Sequence, residues 1–203
     1  MYSWIPVKHE SSPLWSRDRA SIRSMDRMST PAGRLARRGF GDPHHAVTVI
    51  ESWFAVFDEE EAIRRLVDEV LASSDPDLAM SGFARMAAEQ PDFFVRVISH
   101  PDRVRRVARV MGASVALNQH LGVHHAALAE LDDEPFPRSA ATLRAELLRA
   151  IGADPDAAAP VAQPGTSDAL RLAYRAALLR VAARDLTAED PLVTVADIGR
   201  ELA

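Results

Sequence analysis

Four prolines, Pro43, Pro76, Pro91 and Pro101, each stand directly before apolar residues at helical spacing. Proline lacks the amide donor that a helix interior needs, and its fixed φ suits a first helical turn, so each marks a helix start. Asp42-Pro43 precedes Val47, Ile50, Phe54 and Phe57, and Asp75-Pro76 precedes Leu78, Phe83 and Met86. The aspartate is the expected N-cap, its carboxylate accepting an otherwise orphaned backbone amide. Pro91 and Pro101 open shorter helices over 91–99 and 101–111. A chain restarted this often folds as many short helices.

The remaining pattern agrees. Asp58 with Glu61 reads as a capping box before Ile63, Leu66, Val67, Val70 and Leu71, which share one helical face. Ser114 is placed to cap a helix through Val115, Leu117 and Leu121. After a loop at 132–138, Leu143, Leu147, Leu148 and Ile151 form a helix that Gly152 can end. The longest helix is expected over 168–185, with Leu170, Ala173, Tyr174, Ala177, Leu178 and Val181 as its apolar stripe. Thr194 with Asp197 opens a last one. The 35 alanines against 9 glycines favour helix, because alanine loses no side-chain entropy there. No period-two run is longer than Leu192 to Val195, so the fold class is all-α, an irregular multi-helix array.

The expected organisation is a disordered N-terminal extension (1–30), a helical subdomain (31–151), a Pro/Ala/Gly linker (152–166) and a further helical segment (167–203). A chain of 203 residues can bury roughly 70% of its unfolded surface, enough for a real core. The absence of cysteine excludes disulfides and thiolate chemistry. No apolar run reaches the roughly 18 residues of a membrane span, so no membrane partner is expected. Residues 1–38 carry eight basic and three acidic side chains, whereas 39–203 carry sixteen and twenty-six. The acidic body argues against a duplex-binding surface, so no nucleic-acid partner is expected.

Several groups invite chemistry. Asp75/Asp77 and Asp154/Asp156 are Asp-x-Asp pairs, the arrangement that holds Mg²⁺ when both carboxylates project from one face of a strand. Each pair encloses a proline, which favours a helix start for the first and a linker for the second. His120 and His124 have the i,i+4 spacing of a helical metal chelate with His125 adjacent, yet Gly122 interrupts them and no carboxylate completes a set. They read as surface or helix-end histidines, and His44-His45 as weaker still. Arg103, Arg105, Arg106 and Arg109 read as the solvated face of a helix whose buried side holds Val104, Val107 and Met111. Thr194 to Ala203 is similar to the opening helix of a helix-turn-helix, without a recognition helix after it. No nucleophile elbow, phosphate-cradling loop or dinucleotide fingerprint occurs, so no catalytic, cofactor-binding or metal residue is assigned.

Three segments, taken in order, resemble the amino-terminal region of the glutamine synthetase adenylyltransferase/adenylyl-removing enzymes of the actinobacterial type. They are Arg34-Leu-Ala-Arg-Arg-Gly-Phe-Gly-Asp-Pro43, Val107-Ala-Arg-Val-Met-Gly-Ala-Ser-Val-Ala-Leu-Asn-Gln-His-Leu121 and Leu170-Arg-Leu-Ala-Tyr-Arg-Ala-Ala-Leu-Leu-Arg-Val-Ala-Ala-Arg-Asp-Leu186. Asp75-Pro-Asp-Leu-Ala and the apolar positions to Pro91 are also similar. The chain departs from the pattern at Asn118-Gln119, where the family has Gly-Asp, and at Gly122-Val-His-His-Ala-Ala.

The resemblance implies the helical part preceding a nucleotidyltransferase domain, without that domain's catalytic Asp-x-Asp strand. It implies an enzyme family that uses Mg²⁺ and ATP or AMP in nitrogen regulation. One half phosphorolyses the AMP–tyrosine bond on glutamine synthetase, and the other attaches AMP from ATP. Glutamine synthetase, a nitrogen-signal regulatory protein and the remainder of the parent enzyme are the implied partners, in the cytoplasm. This chain alone is expected to be inactive. Arg175, Arg180 and Arg184 are the residues expected nearest a bound nucleotide, with an ion pair the simpler role for Arg184. The alternative reading is a stand-alone helical regulatory or helix-turn-helix DNA-binding module.

Overall fold

The computed structural model describes residues 30–131 and 138–187. Among them are nine α-helices, one 3₁₀ segment and no strand, which is the all-α class the proline punctuation predicts. The helices are α1 (Pro31–Arg37), α2 (Pro43–Val56), α3 (Glu60–Leu71), α4 (Pro76–Glu89), α5 (Pro91–Ile98), α6 (Pro101–Ala113), α7 (Val115–Val123), α8 (Ala140–Ala150) and α9 (Ser167–Thr187). The 3₁₀ segment spans His125–Leu131, between α7 and α8. The expected N-terminal extension up to residue 29, the loop at 132–137 and the helix expected to open at Thr194 lie outside the described residues.

Predicted starts are capped as their residues dictate. Asp42 Oδ1 accepts the His45 amide at 3.0 Å, and Asp75 Oδ1 accepts that of Leu78 at 2.9 Å. Ser114 Oγ accepts the Leu117 amide at 3.3 Å. Each such cap contributes about 1 kcal/mol. The Asp58 box does not form. Helix α3 begins at Glu60 behind Glu59, with no side-chain cap bond. Its first-turn Glu60 and Glu61 favour the positive end of the helix dipole, and Glu60 is paired with Arg64 at 2.8 Å.

Helix α6 is the axis of the core. Val104, Val107, Ala108, Val110 and Met111 are all fully buried, and α3, α4, α5, α7, α9 and the 3₁₀ segment pack around it. The expected α3 face is buried as a unit, from Ile63 to Leu71. On α2 the buried line runs through Ala46, Ile50 and Trp53, with Val47 and Phe54 on its flanks. Trp53 and Phe57 both pack on Phe94 of α5, with ring centroids 5.5 and 4.9 Å away.

Helix α9 buries only part of its predicted apolar stripe, at Ala177 with Leu178 and Val181 half-buried, and adds residues off the stripe. Leu179 and Ala183 are fully buried in the same cluster as α6, whereas Leu170 and Tyr174 are exposed. Apolar residues surround this helix, so periodicity alone does not fix its rotation. Contacts with α6 and the 3₁₀ segment decide it.

Helix α8 has no buried residue and packs chiefly on α9. The stretch between them folds back on itself. Gly152 takes φ +70° after α8, Asp154 Oδ1 accepts the Asp156 amide at 3.0 Å, and the Gln163 amide donates to Ile151 O at 2.9 Å.

Candidate functional site

The first Asp-x-Asp pair is spent on backbone amides. Asp75 caps α4, while the Asp77 carboxylate accepts the Gly41 amide at 2.6 Å and the Asp42 amide at 3.2 Å. Asp77 thereby fastens the turn before α2 to the first turn of α4. A Cβ on Gly41 would lie 3.2 Å from Asp77 Oδ2, so glycine lets the turn approach this closely. In the second pair, Asp154 closes a local turn onto the Asp156 amide. Mg²⁺ requires several oxygen ligands in near-octahedral array. The carboxylates of Asp75, Asp77 and Asp154 are committed to amide donors instead, and among the described residues no group of three or more His, Asp or Glu side chains is arranged to hold a metal. The residues present do not fit Mg²⁺.

His120 lies in the last turn of α7, as a helix-end reading has it, but it is buried, which corrects its reading as a surface residue. Neither of its ring nitrogens has a hydrogen-bond partner, and its ring lies 4.8 Å from that of His124. Burial, then the neighbouring His124, then Arg175 of α9 hold its pKa below the ordinary histidine value. Enclosure on α7 leaves both nitrogens without solvent access, so the i,i+4 pair offers no open chelate. His124 is the C-cap of α7, and His125 packs edge-on against Phe93 at 5.6 Å.

The arginine cluster of α6 is dispersed rather than presented as one solvated face. Arg106 is only 7% exposed, and its Nε donates to Leu131 O at 2.7 Å. Arg109 donates to Ala72 O and lies 3.8 Å from Glu69. Arg105 pairs with Asp102 at 2.7 Å, and Arg103 donates to Arg96 O at 3.2 Å. Arg106 is drawn inwards because its long side chain can satisfy the end of the 3₁₀ segment, a long-range partner that spacing does not reveal.

A polar node that pattern reading misses sits between α4, α6 and α7. Buried Asn118 donates through Nδ2 to Leu78 O at 2.8 Å and to Met111 O at 3.3 Å. Arg85 donates to both the Asn118 side-chain and backbone oxygens at 3.0 Å. Two glycines make room. A Cβ on Gly82 would lie 2.8 Å from Asn118 Nδ2, and one on Gly122 would lie 2.2 Å from the Arg85 guanidinium. The only sequence signal was the departure from the family pattern at Asn118.

An open groove of about 310 Å³ lies between α8, α9 and the 3₁₀ segment, lined by Glu130, Arg138, Glu146, Arg180, Leu143 and Leu147 among others. Arg180 pairs with Glu130 and, at 3.0 Å, with Glu146, while Arg138 also pairs with Glu146. The charges therefore answer one another. Arg180, expected near a nucleotide, is instead an internal clamp that binds α8 and the 3₁₀ segment to α9.

No family model and no solved structure matches the chain. Curated relatives do. A bifunctional glutamine synthetase adenylyltransferase/adenylyl-removing enzyme of Cutibacterium acnes is 36% identical over 132 residues, covering 64% of this chain and 13% of that protein. The enzyme of the same name from Streptomyces coelicolor is 34% identical over 184 residues, covering 87% of this chain and 17% of its own length. That of Bifidobacterium longum subsp. infantis is 31% identical over 198 residues, covering 91% and 16%. The chain thus spans about one sixth of the length of such relatives. With this sustained likeness along an all-α array, the chain belongs to the family of bifunctional glutamine synthetase adenylyltransferase/adenylyl-removing enzymes, as the counterpart of one segment of them.

Proposed function

We propose that this chain is the non-catalytic helical portion that precedes and supports the adenylyl-removing domain of a glutamine-synthetase-modifying nucleotidyltransferase. The observation that carries the reading is the commitment of Asp75 and Asp77 to backbone amides, set beside relatives that all share one activity name. A segment of this kind acts on a metal site from a distance, by fixing the elements that carry its ligands. Any Mg²⁺ used in the AMP chemistry of the longer enzyme would be held by residues outside this chain, where it would stabilise charge on phosphate groups. Glutamine synthetase is the substrate protein of that enzyme, a nitrogen-signal protein its regulator, and the cytoplasm its location. Among the described residues no helix is long and apolar enough to cross a membrane.

The test is an assay of the chain by itself. With adenylylated glutamine synthetase, phosphate and Mg²⁺ it should release no AMP or ADP, and with ATP it should attach none. Turnover above a boiled control, abolished by Asp77→Asn, would overturn the reading.

A further inference from the structure

His120 is 4% exposed, and neither of its ring nitrogens is hydrogen-bonded. A neutral imidazole tolerates such enclosure. An imidazolium carries two N–H donors and a charge, and both need an acceptor. The surroundings offer none. Burial is the largest cause disfavouring the charge, followed by His124, whose ring lies 4.8 Å away, and then by Arg175 of α9. On the elements packed against α7, the charged groups are engaged elsewhere. Arg85 of α4 donates to Asn118, and Asp77 of α4 accepts the Gly41 amide. Arg106 of α6 donates to Leu131 O, and Asp102 of α6 pairs with Arg105. Glu130 of the 3₁₀ segment pairs with Arg180, His125 packs on Phe93, and Glu89 at the end of α4 is exposed. No carboxylate is among the groups that act on His120.

The turn that carries His120 is also the weakest stretch of α7. Gly122 is the poorest helix former short of proline, and Val123 is β-branched and 72% exposed. Glycine is needed at 122, because a Cβ there would lie 2.2 Å from the Arg85 guanidinium. The chain is pinned on both sides of this turn. Asn118 is tied to Leu78 O and to Arg85, and Leu128 and Leu131 are buried in the core. Between these anchors, fully buried Leu121 keeps the turn shut while His120 is neutral. We propose that the last turn of α7, His120–His124, is an acid-operated latch: protonation of His120 unwinds this turn and brings the ring to solvent, while α3, α4 and α6 stay folded. A stretch with one buried apolar anchor opens well below the cost of global unfolding.

Hydrogen exchange of the full chain, followed by mass spectrometry at pH 7.5 and 5.5 and corrected for the intrinsic rate at each pH, tests the latch. Residues 119–127 should gain roughly fivefold in exchange at the lower pH, within the limit of about tenfold that one proton on a group of ordinary pKa 6.5 allows. Peptides of α3 and α6 should not change. His120→Leu should remove the gain. Arg175→Glu, at an exposed position, replaces a repulsive neighbour with an attractive one and should cut the gain to below about twofold. An unchanged 119–127 region, a gain shared equally by α3 and α6, or a gain that persists in His120→Leu would overturn the proposal. Should His120→Leu not fold, Arg175→Glu decides alone, and an undiminished gain in that variant would sink the latch.

Discussion

The Asp77 carboxylate accepts the Gly41 amide at 2.6 Å across 36 residues of sequence. It joins two short motifs, Gly-Phe-Gly-Asp-Pro before α2 and Asp-Pro-Asp before α4, that look independent in the sequence. What resembles a metal-binding pair is a cap and a strut. Asp77→Ala should lower stability by about 1–2 kcal/mol, since it orphans the Gly41 and Asp42 amides at a partly solvated site. Urea unfolding followed by circular dichroism would measure this. Asp77→Asn should lose less, because a neutral carbonyl still accepts.

Asn118 should tolerate substitution poorly. Asn118→Asp keeps an acceptor for Arg85 but turns the donor towards Leu78 O and Met111 O into a second acceptor. Leaving buried carbonyls without a donor costs about 1–3 kcal/mol each, so a loss of about 2–3 kcal/mol is expected. Asn118→Ala should cost a similar amount by removing the node outright. A variant with wild-type melting temperature would show that the node carries no stability.

Arg180 holds two carboxylates that have few other partners. Arg180→Met should destabilise by about 1–2 kcal/mol, a figure already reduced for partial solvent screening. It should also speed hydrogen exchange in α8, which has no buried residue of its own. Adding Glu130→Gln should restore part of the loss, since Glu130 is the carboxylate left without its cation while Glu146 keeps Arg138. No recovery in that double variant would mean that packing of the Arg180 stem, not charge, binds α8.

His120 gives the fold a directional pH response. Its native pKa lies below the ordinary 6.5 because of burial, His124 and Arg175, so the unfolded chain takes up a proton first. The stability it permits is complete above pH 6.5 and declines as pH falls from there towards the native pKa. His120→Leu should remove that decline. At pH 7.5 it should be neutral or stabilising by up to about 1 kcal/mol, because neither ring nitrogen has a partner to lose. Parallel thermal melts from pH 5 to 8 in which both proteins fall equally would refute the assignment.

Local chemistry made the helix starts legible. Asp42, Asp75 and Ser114 cap where their side chains and the adjoining prolines or apolar patterns require. The α3 face was equally plain, since its apolar residues occupy one side only. What stayed hidden depends on distant partners. Arg106 is buried by a carbonyl 25 residues away, Asn118 is satisfied by residues on α4 and α6, and α9 is rotated by contacts with α6. His120 is a helix-end residue whose burial shows only once the elements packed on α7 are known. The candidate site is least legible for the same reason: Arg106, Arg109, Asp77 and Arg180 find their partners on other elements.

The most direct test of the central claim is a replacement experiment in the longer enzyme. Deleting the homologous region from the Streptomyces coelicolor protein, and then supplying this chain in its place, separates support from chemistry. The account predicts that deletion abolishes removal of AMP from glutamine synthetase, that the replacement restores it, and that it survives Asp75→Asn in this chain, since asparagine still caps α4. A replacement whose activity disappears with Asp75→Asn while its fold remains intact would show that these helices carry chemistry, and would contradict the account.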